Sequence, residues 1–168
     1  MGLSQTPQAL VPAAFTSGGM TLLSTTTLSG VSTTISGINQ TYTNLLIIIQ
    51  NALTSTSNTM QIKINGSTAN CQLAGFKANN TYLTQTTPGI TLNNDAGSVV
   101  VSGLIYLYAS TIAAKSVQFI ARDNSSNEIT SLNGIIDLPS TAVTSIAIAN
   151  SNGTATFSAG TVYIYGVK

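Results

Sequence analysis

The sequence predicts an all-β fold, an antiparallel β-sandwich of jelly-roll type preceded by an extended N-terminal arm, and three observations predict it. Segments rich in β-branched and aromatic residues recur from Met20 to the C-terminus. Turn formers that tolerate positive φ separate them, among them Asn65-Gly66, Asn94-Asp95-Ala96-Gly97, Asn133-Gly134 and Asn152-Gly153. No stretch carries a sustained 3.6-residue period. At 168 residues the chain has the size of one domain, able to bury roughly 70% of the surface its unfolded form exposes.

Residues 1–17 have no clear period, and Pro7 and Pro12 make a helix there unfavourable, so they read as an extended arm. Gly18-Gly19 then opens a single sandwich domain over residues 18–168. Strands are expected at Met20–Leu28, Val31–Ile35, Thr43–Leu53, Met60–Asn65, Cys71–Phe76, Ile90–Leu92, Ser98–Tyr108, Ser116–Arg122, Glu128–Ile136, Val143–Ile148 and Thr161–Val167. Met60, Ile62 and Ile64 alternate with Gln61 and Lys63, which places three apolar side chains on one sheet face. Val143, Ile146 and Ile148 repeat a similar theme, and Val162, Ile164 and Gly166 oppose Tyr163, Tyr165 and Val167. The unbroken runs Leu45–Ile49 and Leu104–Tyr108 fit central strands covered on both sides. About ten short antiparallel strands close most commonly as a two-sheet jelly roll, whose strand order the pattern alone does not give. No repeat of 20 to 50 residues occurs.

Only 5% of the residues are charged and 43% are hydrophobic, with a net charge of +1. The surface must therefore be built from hydroxyls and amides, with little long-range repulsion to keep copies apart. A life in an assembly follows. Lys63, Lys77, Lys115, Arg122 and Lys168 are scattered, so no basic stripe exists for nucleic acid. Cys71 is the single cysteine and there is no histidine, which removes an intrachain disulfide and a Cys/His zinc cluster. The N-terminus has no basic stretch leading into an apolar one, and the longest apolar run falls far short of a membrane span, so neither an export signal nor a membrane partner is expected.

Without histidine, Ser-His-Asp and Cys-His nucleophiles cannot be built. Acid–base work would fall on Asp95, Asp123, Glu128, Asp137, the lysines or a tyrosine, and among the carboxylates Asp123 and Glu128 are the nearest pair a glycosidase would need. The segment 122–128 reads better as a solvated loop between strands. Asn93-Asn94-Asp95 supplies one carboxylate, too few for calcium, and reads as a hairpin turn. No phosphate-cradling glycine motif is present. No catalytic residue, cofactor or metal is therefore expected. The five Asn-x-Ser/Thr triplets carry no weight in a chain this rich in those residues. Tyr106 with Tyr108, and Tyr163 with Tyr165, are spaced by two, so each pair is expected on one sheet face, in the core or at a subunit interface.

The segment from Thr16 through Gly18-Gly19-Met20 to Gly30, followed by Ile38-Asn39-Gln40-Thr41-Tyr42 ahead of a long apolar strand, resembles the opening of a family of tailed-bacteriophage virion proteins. Ile62-Lys63-Ile64-Asn65-Gly66 is similar to that family's Arg/Lys-x-Asn-Gly turn, and Thr141–Ile146 with Phe157–Lys168 is similar to its C-terminal ending. The ordered matches span nearly all of the chain after residue 15, with a gap at residues 73–94. The resemblance implies a jelly-roll-like structural protein without catalytic residues, acting as a trimer in head decoration, tail or fibre. The partners it implies are further copies of the chain, in a homotrimer, and the major capsid protein or other virion proteins. The location it implies is the virion, assembled in the bacterial host cytoplasm. A head decoration or cement role suits a short domain with no shaft, and Leu10, Val11, Pro12 and Phe15 of the arm are the candidate partner-binding residues. The alternative is a tail-fibre or receptor-binding tip, with the amides of Asn79-Asn80 and Asn124-Ser125-Ser126-Asn127 facing host glycans.

Overall fold

Two-residue alternation along the chain becomes twelve strands among the described residues, which in the computed structural model are 19–56, 59–67, 70–77, 81–92, 98–124, 128–138 and 140–168. The arm expected over residues 1–17, with Leu10, Val11, Pro12 and Phe15, lies outside them, as do Asn79-Asn80 and residues 93–97. In chain order the strands are β1 (Met20–Thr27), β2 (Ser32–Ser36), β3 (Asn44–Thr54), β4 (Met60–Ile64), β5 (Asn70–Lys77) and β6 (Thr81–Pro88). Then come β7 (Ile90–Leu92), β8 (Val99–Ile105), β9 (Lys115–Asp123), β10 (Ile129–Ile136), β11 (Ser145–Asn150) and β12 (Phe157–Val167). They form two antiparallel sheets, packed together as the predicted all-β sandwich.

The strand order is that of a jelly roll with two inserted hairpins. The small sheet runs β2-β11-β4-β7, and the large sheet begins β1-β12-β3-β8. Setting aside β5–β6 and β9–β10, these are the second, seventh, fourth and fifth strands facing the first, eighth, third and sixth, the two Greek keys of a jelly roll. The inserted hairpins pair with each other through β5 and β10 and extend the large sheet to eight strands, β1-β12-β3-β8-β9-β10-β5-β6.

One core lies between the sheets. Leu45, Ile47 and Ile49 on β3, Met60, Ile62 and Ile64 on β4, Ile146 and Ile148 on β11, and Val162 and Ile164 on β12 all point into it. On β9 the alternation is complete: Lys115, Val117, Phe119, Ala121 and Asp123 are buried and the residues between them exposed. The far end of the large sheet curls toward the small one. On the inward face of β5 and β10, a Cβ at Gly75 would stand 1.8 Å from the Ser131 carbonyl oxygen, and one at Gly134 2.0 Å from that of Gln72. That backbone approach lets β6 reach β7, where the Gln85 side chain accepts from the Thr91 N–H at 2.9 Å and donates to its carbonyl at 2.7 Å.

Five expectations need correction. β6 was not expected; its sequence, TYLTQTTP, offers Leu83 as the one apolar inward residue, and Gln85 beside it has a polar task. Asn133-Gly134 is not a turn but the middle of β10, where glycine serves close approach rather than positive φ. The strand expected to reach Tyr108 stops at Ile105, because Tyr106–Ala109 turns with Leu107 at φ 52°, so Tyr106 is exposed and Tyr108 fully buried. The strand expected over Val143–Ile148 runs from Ser145 to Asn150; Val143 is buried ahead of it and donates its N–H to the Tyr108 carbonyl. The last strand starts four residues early and bulges through Gly160, at φ 129°, where a Cβ would lie 2.8 Å from the Ala52 Cα.

Asn65-Gly66 does turn, at φ 48° and 75°. The Asn65 side chain accepts from the N–H groups of Thr144 (2.8 Å) and Ser145 (3.1 Å) and donates to the Ala142 carbonyl (2.7 Å), stapling the end of β4 to the approach to β11. Asn65→Ala removes these three hydrogen bonds and a longer fourth, from the Thr144 hydroxyl at 3.3 Å, and puts alanine at a positive φ that asparagine tolerates better. Urea unfolding is expected to report a loss of about 2 kcal/mol, at roughly 0.5–1.5 kcal/mol per bond.

Candidate interaction surface

The carboxylates singled out in the sequence sit at a hairpin. The Asp123 N–H donates to the Glu128 carbonyl at 2.9 Å, closing the β9–β10 connection, and the Glu128 carboxylate pairs with Lys77 Nζ at 2.6 Å. Asp137 is exposed between β10 and β11. Among the described residues no group of three or more metal-ligating side chains assembles. Cys71 is buried inside the large sheet, and burial pushes its thiol above the usual range, so it stays protonated.

The outer face of the large sheet is of another character. Register across the eight strands sets Thr25, Tyr163, Ile48, Ser102, Ile120, Ser131, Phe76 and Tyr82 in one row. Neighbouring rows add Leu22, Tyr165, Leu46 and Leu104, continuing into Gln118, Asn133, Ala74 and Thr84, on one side, and Thr27, Thr161 and Gln50 with Val100, Arg122 and Ile129 on the other. Arg122 is the one charged side chain on this face among the described residues. Tyr163 and Tyr165 share it, half-buried, as their spacing predicted, whereas Tyr106 and Tyr108 are separated by the turn. Phe76 and Tyr82 are 58% and 61% exposed and meet edge to face, ring centres 5.7 Å apart. Ile120 and Ile129 are about half exposed, at 48% and 51%. The sequence signal for this face was present in β9, where Phe119 and Ile120 put large apolar groups on both sides of one strand.

A second feature lies where the two sheets do not close. Gln85 joins β6 to β7 at one side of the sandwich, but at the other side β1 and β2 are both sheet edges without a further partner strand among the described residues. Between them opens a cleft of about 380 Å³, walled by Leu22 and Leu23 of β1, Ile35 of β2, and Ile38, Tyr42 and Ile164. A bulge in β1 between Leu22 and Ser24 breaks the regular alternation here, and Leu23 lies half-buried against the core. The walls are braced. The Tyr108 hydroxyl donates to the Asn39 carbonyl, and Gln40 Nε2 donates to the carbonyls of Ile38 (2.6 Å) and Val143 (2.9 Å). Burial pushes the Tyr108 hydroxyl up, which keeps it a donor through the neutral range. The Tyr42 ring lies flat over Gly166, where a Cβ would come within 2.4 Å of it. The cleft is not visible in the sequence, since its walls, residues 21–24 and 35–42, face each other only because β1 and β2 belong to different sheets, held by β12 and β11 from the far end of the chain.

No protein-family model matches the sequence, and no curated protein matches it.

Proposed function

We propose that this chain is a non-enzymatic structural protein of a tailed-bacteriophage virion, a head decoration or cement subunit that joins its own copies, as a trimer, to the major capsid protein. The observation that carries the reading is the outer face of the large sheet, broad and nearly uncharged, with exposed Phe76, Tyr82, Ile120 and Ile129 among hydroxyls and amides and Arg122 its single charged residue among those described. Covering such a face removes apolar area from water at about 25 cal/mol per Å² and strips hydration from almost no charge. Eight strands spaced about 4.8 Å apart and some seven residues long offer roughly 800–900 Å², close to what one partner contributes to a stable interface. A net charge of +1 opposes neither self-association nor a dense lattice.

Particles lacking the chain should lose resistance to heat and salt and regain it when the purified chain is added; unchanged resistance together with no rebinding would remove the reading. Ile120→Lys gives a finer test. Ile120 is on the outer face, so the fold should change by less than about 0.5 kcal/mol, while a charge placed in a desolvated contact should weaken attachment to particles about tenfold or more. Equal attachment of Ile120→Lys and the unchanged chain would place the contact elsewhere.

The exposed Phe76–Tyr82 pair, beside the hydroxyls of Ser131 and Thr84, favours one second reading, a fibre tip that stacks neutral host glycans on aromatic rings. Glycan-array binding lost in Tyr82→Ala would establish it, and an array without hits would dismiss it.

A further inference from the structure

We propose that the cleft between β1 and β2 is the seat of the N-terminal arm of a second copy of this chain, with the apolar stretch from Ala9 to Phe15 laid between the two sheet edges. The inference rests on the reading of the chain as an assembly subunit and specifies how copies are joined.

Four observations carry it. First, among the described residues β1 is bonded only to β12 and β2 only to β11, so each presents a row of backbone donors and acceptors able to take an extended segment. Proline is tolerated in such a position because the missing N–H can face away from the sheet, which admits Pro12. Second, the chemistry matches. Leu23, Ile35, Ile38 and Ile164 with Tyr42 give the cleft an apolar part, while Thr21, Ser24, Ser36, Asn39 and backbone groups make most of its surface polar but uncharged, as a strand-accepting site requires. Residues 1–17 likewise contain no acidic or basic side chain, with Leu10, Val11 and Phe15 as apolar anchors among backbone donors and acceptors. Third, eighteen residues precede Gly19, enough at about 3.3 Å each to span roughly 60 Å. A domain of this size is only about 40 Å across, so the arm reaches a neighbour's cleft.

The fourth observation selects a neighbour over the same chain. The Lys168 N–H donates to the Gly19 carbonyl at 2.9 Å, so the chain keeps to the ladder with β12 back to the first described residue and has not begun to reverse there. An arm folding back at Gly18-Gly19 would form a hairpin along the outer edge of β1 and meet the Leu22–Ser24 bulge within a few residues of its turn, where the ladder is broken. An arm arriving from another copy is not tied to that register and can pair along β2, which has no bulge. Passing each arm to the next copy is a head-to-tail contact that closes a ring under rotational symmetry.

The test uses two full-length variants co-expressed and purified together, one with Phe15→Cys and the other with Ser36→Cys, Ser36 being an exposed residue at the mouth of the cleft. Native Cys71 is buried and does not compete. Mild oxidation should link the two chains as a disulfide-bonded pair, at least about tenfold more than Phe15→Cys with Thr154→Cys, a position on the turn at the opposite end of the sandwich, because docking raises the effective thiol concentration. Circular dichroism of each variant confirms the fold. A single chain carrying both Phe15→Cys and Ser36→Cys that closes only on itself would overturn the exchange, and so would no link above the Thr154→Cys level. Either failure, with particle attachment intact, removes the arm proposal and leaves the proposed function standing.

Discussion

Phe119→Ala is expected to lower the stability of the domain by about 3–5 kcal/mol, the usual cost of emptying a fully buried aromatic site. Phe119 is 0% exposed on β9, opposite Gly103 of β8, and its ring fills the space a side chain at Gly103 would take: a Cβ there would lie 2.0 Å from Cε1. The two positions are therefore one packing unit. Gly103→Ala alone should cost about 1–3 kcal/mol by overpacking, since the ring must leave its place or the β8–β9 ladder must shift. With Phe119→Ala already made, the same methyl enters open space, so the double variant should be more stable than the summed losses predict by about 1 kcal/mol or more. Urea midpoints of the two single variants and the double variant give this coupling directly. Additive losses would mean that the ring does not rest on Gly103.

That pair also marks how far the sequence could be read. Strands with apolar inward positions were visible as alternation, as in Met60-Gln61-Ile62-Lys63-Ile64, and the segments read as strands include every strand of the roll together with β5, β9 and β10 of the inserted hairpins. β6 was invisible for the opposite reason: of its described inward side chains one is Leu83 and the other Gln85, whose amide serves the backbone of β7. Gly103, Gly75 and Gly134 each lie inside a strand, where glycine is read as weakness or as a turn. What they supply is room, for a ring in one case and for a neighbouring backbone in the others. Room is a property of what stands opposite, and the partner, Phe119 or Ser131, is identified only by a register that the sequence does not contain. The jelly-roll order has the same origin, since it joins β1 to β12 and β2 to β11 across most of the chain.

The candidate surface was half legible. The spacing of Tyr163 and Tyr165 placed them together, and they lie on the outer face of the large sheet. The breadth of that face was hidden because Ile120 and Ile129 join it through the β8–β9 and β9–β10 pairings, and Phe76 and Tyr82 only through the β5–β10 pairing. The near absence of charge in the composition becomes specific there: of the charged side chains among the described residues, Arg122 alone lies on that face. A broad face with a single charge, Arg122, is what a chain with 5% charged residues can build without special arrangement.

Lys115→Met is expected to cost about 3–4 kcal/mol, counting roughly 1.5–3 kcal/mol for each hydrogen bond of a charged donor less the relief of no longer burying a charge. Lys115 is 0% exposed at the start of β9. Its Nζ donates to the carbonyls of Ser110 (2.6 Å), Ala113 (2.8 Å) and Leu138, so one ammonium uses all three protons to tie the β8–β9 connection to the segment after β10. Methionine matches the length of the stem and leaves three carbonyls without that donor. Burial pulls the Lys115 pKa below its ordinary value of 10.5, and the sign of the pH effect follows. Between the lowered folded value and the unfolded one, the unfolded chain holds more protons, so this residue's contribution to stability grows as pH rises through that window and is lost as pH falls through the folded value. Tyr108 acts oppositely only near and above its ordinary value of 10, because its raised pKa leaves the unfolded chain to ionise first. The gap in urea midpoint between the native chain and Lys115→Met should therefore widen from neutral pH toward pH 10, with Tyr108 common to both. A gap that narrows over that range would mean that the three carbonyls hold the ammonium more firmly than burial penalises it.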